Sequence, residues 1–169
     1  SLGPEAADRT FELILESARN FPLPGVGCTL PGRWRRSLGD AALAIDAQVR
    51  VRVVKGQWAD PDHQEIDLRE GYLAVIDRLA GKARQVAVAT HDPPLAREAL
   101  GRLLAAGTQC EMELLFGLPL KASLQLAREL NVRVRLYIPY GHSWLPYAFS
   151  QIQKNPRIIW WVIRDSIWG

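Results

Sequence analysis

The sequence predicts an α/β chain built from parallel βα units. Three observations carry this: five short apolar runs recur along it, helical periodicities lie between and around them, and each run closes on polar or turn-forming residues. Strand then helix, repeated with short connections, is the pattern of a parallel sheet covered by helices. Two closures satisfy it, an open doubly wound sheet or a (β/α)8 barrel. No Gly-x-Gly-x-x-Gly follows any strand and no Gly-Lys-Ser/Thr occurs, so the nucleotide-binding open sheets lose support and the barrel is favoured. A complete barrel takes about 250 residues, whereas this chain has 169. The expectation is therefore an incomplete, TIM-barrel-like arrangement of about five βα units, a single domain over residues 1–169 that forms the carboxyl-terminal part of a longer barrel.

In chain order, residues 4–20 place Phe11, Leu13, Ile14, Leu15 and Ala18 around a narrow apolar stripe, an amphipathic surface helix. Strands are expected at 25–30 and at 49–58, the second alternating Val and Arg before it ends in Lys55-Gly56. Residues 68–79 repeat the helical spacing through Leu68, Tyr72, Val75, Ile76 and Leu79. A strand at 86–91 precedes a helix at 94–106, which carries Leu95, Ala99, Leu100, Leu103 and Leu104 on one side. Strands at 110–117 and 132–139 flank a helix at 118–130. A last helix is expected at 144–153, with Pro146 near its start.

Composition bounds the function without choosing it. With 48% hydrophobic and 23% charged residues, the chain can bury one core. A net charge of +3, with basic residues scattered apart from Arg33, Arg35 and Arg36, disfavours a nucleic-acid partner, which needs a clustered basic face. Cys28 and Cys110 fall within expected strands and read as buried free thiols of a reducing compartment. The three histidines, His63, His91 and His142, form no i, i+4 ligand pair, so no metal site is expected. No signal peptide or apolar stretch of membrane-spanning length is visible, which suggests a cytoplasmic protein.

In a barrel the carboxyl ends of the strands meet at one mouth. That topology gathers Arg52, Lys55, Thr90, His91, Glu111, Glu113, Arg135 and Tyr137. No Gly-x-Ser-x-Gly elbow is present, which disfavours a serine hydrolase. What remains is a cationic mouth suited to phosphate, carboxylate or a reduced flavin.

Four ordered segments then carry a resemblance. Arg52-Val53-Val54-Lys55-Gly56-Gln57-Trp58 resembles the Arg-Leu-Val-Lys-Gly-Ala-Tyr signature of the flavin-dependent proline dehydrogenases, a family that includes the dehydrogenase domain of proline utilization A. Ala89-Thr90-His91-Asp92 resembles that family's Ala-Thr-His-Asn, Glu111 to Gly117 its Glu-Phe-Gln strand ending in Gly, and Tyr137-Ile138-Pro139-Tyr140-Gly141 its Tyr-x-Pro-x-Gly. The resemblance runs over residues 25–165. It implies a distorted (β/α)8 barrel that binds FAD and removes hydride from C5 of L-proline to give pyrroline-5-carboxylate, with electrons passing to a membrane quinone, for which the protein would lie peripherally at the inner membrane.

By the same resemblance Arg52 is the candidate catalytic group, a fixed cation beside the reactive edge of the flavin. Lys55, Gly56 and Gln57 match the segment lining the cofactor, with Gly56 allowing close backbone approach. Thr90 and His91 match the Thr-His pair that contacts it, and Tyr137 and Tyr147 match aromatic walls of the proline pocket. Two departures stand beside the matches. Ser150 and Gln151 occupy the place of the adjacent arginines that clamp the substrate carboxylate, so only neutral hydrogen bonds are on offer there. Arg133, Arg135 and Arg157 are candidate substitutes. Pro31-Gly32-Arg33 aligns with the family's Gln-Ala-Tyr, and proline has no side-chain donor. The early strands with the family's substrate lysine have no counterpart in this sequence.

Three functions are thus in view: proline oxidation, flavin-dependent oxidation of another cyclic amine or imino acid, and a non-catalytic barrel-like module that binds through the apolar segment Ile158-Ile159-Trp160-Trp161-Val162-Ile163. A homo-oligomer, or pairing with a missing barrel portion, would cover the sheet edges of an incomplete barrel.

Overall fold

The computed structural model describes residues 6–20, 26–56, 59–60 and 66–138. The expected helix at 144–153 and the apolar segment 158–163 lie outside these residues, as do Gln57, Tyr147, Ser150, Gln151 and Arg157. The described elements run α1 (Ala7–Asn20), β1 (Gly27–Pro31), α2 (Ser37–Asp46), β2 (Arg50–Val54), α3 (Leu68–Leu79), β3 (Val86–Ala89), α4 (Pro93–Ala105), β4 (Cys110–Leu115), α5 (Lys121–Glu129) and β5 (Arg133–Tyr137).

All five strands are parallel and lie in sequence order, β1-β2-β3-β4-β5. A doubly wound sheet would reverse its order at a switch point. This one winds in a single direction, the mixed α/β architecture of an incomplete βα barrel. Register sorts the side chains into two faces. Cys28 and Leu30, Val51 and Val53, Val86 and Val88, and Met112 and Leu114 share one face and join the core with Ala41, Tyr72, Leu79, Leu95, Leu103 and Leu126 of the helices. Thr29, Arg50, Arg52, Ala87, Ala89, Glu111, Glu113, Arg133 and Arg135 alternate with them on the opposite, inner face.

Local chemistry explains the element ends. Asp67 caps α3 by accepting from the backbone N–H groups of Arg69 at 2.9 Å and Glu70 at 3.0 Å. Asp92 caps α4 by accepting from Leu95 N–H at 3.2 Å, and Pro93 and Pro94 fill the first turn, where a missing donor costs nothing. Tyr72 is fully buried and donates its hydroxyl to the Val53 carbonyl at 3.1 Å, pinning α3 to β2.

One element departs from the sequence expectation. No helix was expected between the first two strands, yet α2 spans Ser37–Asp46. Its buried positions are small, Ser37, Ala41 and Ala44, while Leu43 is exposed. Leu38 and Ile45 pack only partly against the core, so the apolar stripe is short and built mainly of small residues there. The Ser37 hydroxyl donates to the Pro31 carbonyl at 2.7 Å, and Arg36 bonds Asp40 at 3.0 Å and also Asp8 of α1.

Candidate functional site on the inner face

Charged side chains on the inner face of a sheet need partners, because burial without pairing is costly. Here β2 and β4 supply them to each other across β3. Strands two positions apart lie about 10 Å from one another, and the inner face of β3 carries only Ala87 and Ala89. Arginine and glutamate reach over these small residues. Arg50 donates to Glu111 Oε1 from Nε at 3.1 Å and from Nη2 at 2.6 Å, and to Glu113 Oε2 at 2.8 Å. Arg52 donates from Nε to Glu113 Oε1 at 2.6 Å. From β5, Arg135 donates to Glu111 Oε1 at 3.1 Å and Oε2 at 3.2 Å.

Three arginines and two glutamates thus form one connected lattice. Burial alone would raise the Glu111 carboxyl, but the hydrogen bonds from Arg135 and Arg50 outweigh it and hold the group below its ordinary range. Likewise burial opposes the charge on Arg50, and its bonds to Glu111 and Glu113 reverse the balance, raising its pKa. Arg135 is committed to Glu111 in this arrangement. Arg133 begins β5 and is exposed.

At the carboxyl ends of β2 and β3 a second pair forms. Lys55 Nζ lies 2.8 Å from Asp92 Oδ2, and that hydrogen bond from Lys55 is the main reason the carboxyl is held below its usual range. Thr90 is buried, and its hydroxyl accepts from the Asp92 backbone N–H at 3.2 Å. His91 is engaged at both ring nitrogens: Nε2 accepts from Leu115 N–H at 2.9 Å, and Nδ1 lies 3.3 Å from the Pro119 carbonyl. Those contacts correspond to the neutral tautomer with its proton on Nδ1. Burial lowers the His91 pKa, against the opposing Pro119 bond. Gly56 has φ +100°, and a Cβ there would meet Arg33 Cγ at 2.8 Å and Pro31 Cβ at 3.0 Å. Its bare backbone faces the turn after β1. Tyr137 ends β5 in register with Leu115, more than half exposed.

The structure therefore brings Arg52, Glu111, Glu113 and Arg135 into one network and Lys55, Thr90 and Asp92 into another. Arg50 belongs to the first and was not among the sequence candidates; the alternation that put Arg52 on this face also put Arg50 there. Among the described residues no group of His, Cys, Asp and Glu could hold a metal ion. Burial, with the Asp40 charge adding, pushes the Cys28 thiol up to about 12, which leaves it protonated and unreactive at neutral pH.

Fold and inner face together define an α/β protein of parallel βα units, the arrangement of an incomplete βα barrel, with an ion-paired, arginine-rich inner face. No protein-family model matches the chain. The chain is 30% identical over 169 residues to a proline dehydrogenase of Deinococcus radiodurans, an alignment covering 96% of this chain and 54% of that protein. It is 26% identical over 169 residues to proline dehydrogenase 1 of Bacillus subtilis, covering 95% of this chain and 54% of the relative. It is also 25% identical over 116 residues to proline dehydrogenase 2 of the same species, covering 64% and 38%. By these relationships the chain is similar over most of its length to part of curated proteins named proline dehydrogenase. It spans about half the length of the curated relatives it matches most extensively.

Proposed function

We propose that this chain is part of a flavin-dependent dehydrogenase that oxidises L-proline to pyrroline-5-carboxylate, as one portion of a single barrel domain. The observation that carries the reading is Arg52. It stands on the inner face of β2 and is bonded through Nε, in a chain whose relatives are named proline dehydrogenase.

The donor set fits FAD at that point. A guanidinium held by Nε keeps its remaining N–H donors for an electron-rich ring edge, and the inner face carries more arginine than glutamate. FAD, when bound, would supply the two-electron acceptor for hydride from substrate C5. Arg52 would orient the ring edge and stabilise negative charge that develops there. Lys55, Thr90 and His91 would shape the mouth at the strand ends, and the backbone at Gly56 and Gln57 would line it. Through its contacts to Leu115 and Pro119, His91 would do so by fixing the turn after β4 rather than by offering a free ring nitrogen. Tyr137 and Tyr147 would wall the substrate pocket, and the acceptor beyond the flavin would be a membrane quinone, reached by a cytoplasmic protein peripheral to the inner membrane. Among the described residues no helix is long and apolar enough to cross a membrane.

A second reading, oxidation of another cyclic amine or imino acid, is favoured by one specific feature. Ser150 and Gln151 offer no charge for a carboxylate, and Arg135, a candidate substitute, is already bound to Glu111. The absorbance spectrum of the complete protein, before and after addition of substrate, decides between them. Bleaching of the flavin band by L-proline supports the first reading. Bleaching by other cyclic amines and not by L-proline supports the second, and a colourless protein that retains no flavin refutes both.

A further inference from the structure

The strand register shows which way the lattice leans. Glu113 pairs with Ala89, which pairs with Val54, whereas Arg52 pairs with Ala87 and so with Glu111. Arg52 nevertheless bonds Glu113, two residues nearer the carboxyl end than its own level. Its side chain is drawn toward the mouth. Glu113 is itself fixed: it is 7% exposed, with Oε1 on Arg52 at 2.6 Å and Oε2 on Arg50 at 2.8 Å. A carboxylate gripped at both oxygens is a rigid anchor. Among the described residues Glu113 makes the sole hydrogen bond to Arg52, and it does so at Nε, leaving the Nη edge for whatever lies above.

We propose that Glu113 is the positioning residue for Arg52: it tilts the guanidinium toward the barrel mouth, presents its Nη edge to the bound flavin, and attenuates the positive charge the flavin senses. This rests on the flavin reading of Arg52 given above. Because three arginines face two carboxylates, one positive charge stays uncompensated in the lattice, and Glu113 determines how much of it is felt at Arg52.

The test uses the complete flavin-loaded protein and the variant Glu113→Gln, which keeps an acceptor for Arg52 Nε and removes the charge. Sulfite, which forms an anionic adduct with oxidised flavin, is the probe of positive potential at the ring, and the flavin midpoint potential is the second readout. A unit charge removed from a partly buried pair should tighten sulfite binding roughly tenfold. The same factor in a two-electron couple raises the midpoint potential by about 30 mV. Glu111→Gln, which removes an equal charge from the lattice without touching Arg52, should change sulfite binding by less than about threefold. Should Glu113→Gln fail to fold, Glu113→Asp replaces it; one methylene shorter, it should slow flavin reduction by substrate about tenfold at unchanged flavin content.

Wild-type sulfite affinity and potential in Glu113→Gln, or wild-type reduction rate in Glu113→Asp, overturn the assignment. Equal shifts in Glu111→Gln and Glu113→Gln overturn it as well, since they would show only the summed charge of the lattice. If the unsubstituted complete protein holds no flavin, the failure lies in the flavin reading itself, and the assignment falls with it.

Discussion

Replacing Glu111 by alanine measures what the inner-face lattice contributes to folding. Glu111 is 1% exposed and accepts four hydrogen bonds, from Arg50 at 3.1 and 2.6 Å and from Arg135 at 3.1 and 3.2 Å. Its removal leaves Arg50 with one acceptor, Glu113, and Arg135 with none among the described residues. Breaking a buried pair by deleting one partner costs about 3–5 kcal/mol. Arg135, whose side chain is 52% exposed, can rehydrate, so the lower end, about 3 kcal/mol, is expected. Glu111→Gln keeps volume and one acceptor, and should cost about half as much. Urea unfolding of the complete protein at neutral pH reads both, with an unchanged m-value showing that stability alone has moved. The Glu111 carboxyl is depressed below its ordinary 4.5. Its contribution is accordingly full above that value and declines as pH falls through the folded-state pKa. The gap between wild type and Glu111→Gln should narrow below pH 4.5. A Glu111→Ala variant within about 0.5 kcal/mol of wild type, or a gap that widens in acid, would refute the paired lattice.

Three further outcomes follow from local geometry. His91 has a pKa lowered from 6.5 by burial, so its contribution is present above that pH and is lost as pH falls through the depressed value; hydrogen exchange at the Leu115 amide, whose N–H it accepts, should accelerate in acid and become pH-independent, beyond intrinsic exchange, in His91→Leu. A Cβ on Gly71 would lie 2.1 Å from the Gly32 carbonyl oxygen, a backbone atom with little room to move, so Gly71→Ala should destabilise by about 3 kcal/mol, whereas Gly101→Ala, with nothing within 4 Å, should stabilise α4 by up to about 1 kcal/mol; thermal unfolding distinguishes them. Asp92→Asn keeps a cap for α4 and gives up an ion pair whose two side chains are 42% and 36% exposed, so a loss under about 1 kcal/mol is expected, and Asp92→Ala, which loses the cap too, should cost roughly 1 kcal/mol more.

The parallel βα order was legible because its signals are dense. Val51 and Val53, Val86 and Val88, and Met112 and Leu114 mark the helix-facing strand positions, and the stripe Tyr72, Val75, Ile76, Leu79 placed α3 with its observed bounds. Strand ends were drawn too long wherever turn residues such as Lys55-Gly56 or Phe116-Gly117 continued a run. Among the described elements only α2 lacks a dense signal: its fully buried positions are Ser37, Ala41 and Ala44, and Leu38 and Ile45 pack only partly against the core. A different signal was present: β1 and β2 are parallel neighbours, and parallel neighbours require a crossover, usually helical. The expected meeting of Arg52, Glu111, Glu113 and Arg135 at the strands' carboxyl ends is corrected by the structure: Arg52 and Arg135 stand mid-strand and Glu111 is the second residue of β4. These side chains meet because alternation puts them on one face of the sheet, and the pairing between them is not legible in the sequence. It depends on register and on the low profile of Ala87 and Ala89 between the two charged strands.

Those alanines bear on why an ionic layer stands where parallel barrels ordinarily stack bulky branched side chains. An apolar layer of matched volume is often as stable as a buried ion-pair network or more so, because two-sided desolvation offsets much of the Coulomb gain. Stability alone therefore does not account for three arginines and two glutamates on the inner face. Their arrangement does something an apolar layer cannot, which is to hold a cation at a defined height. Arg50 grips both glutamates, Arg135 steadies Glu111, and Glu113 takes Arg52 by its Nε alone. Each member except Arg52 contacts two others or closes a fork, while Arg52 ends the chain of contacts at Glu113, the more mouthward of the two carboxylates. A larger residue at Ala89 would block the reach from β2 to β4 and free Arg52 without removing any charge, which separates the placement of that cation from its presence.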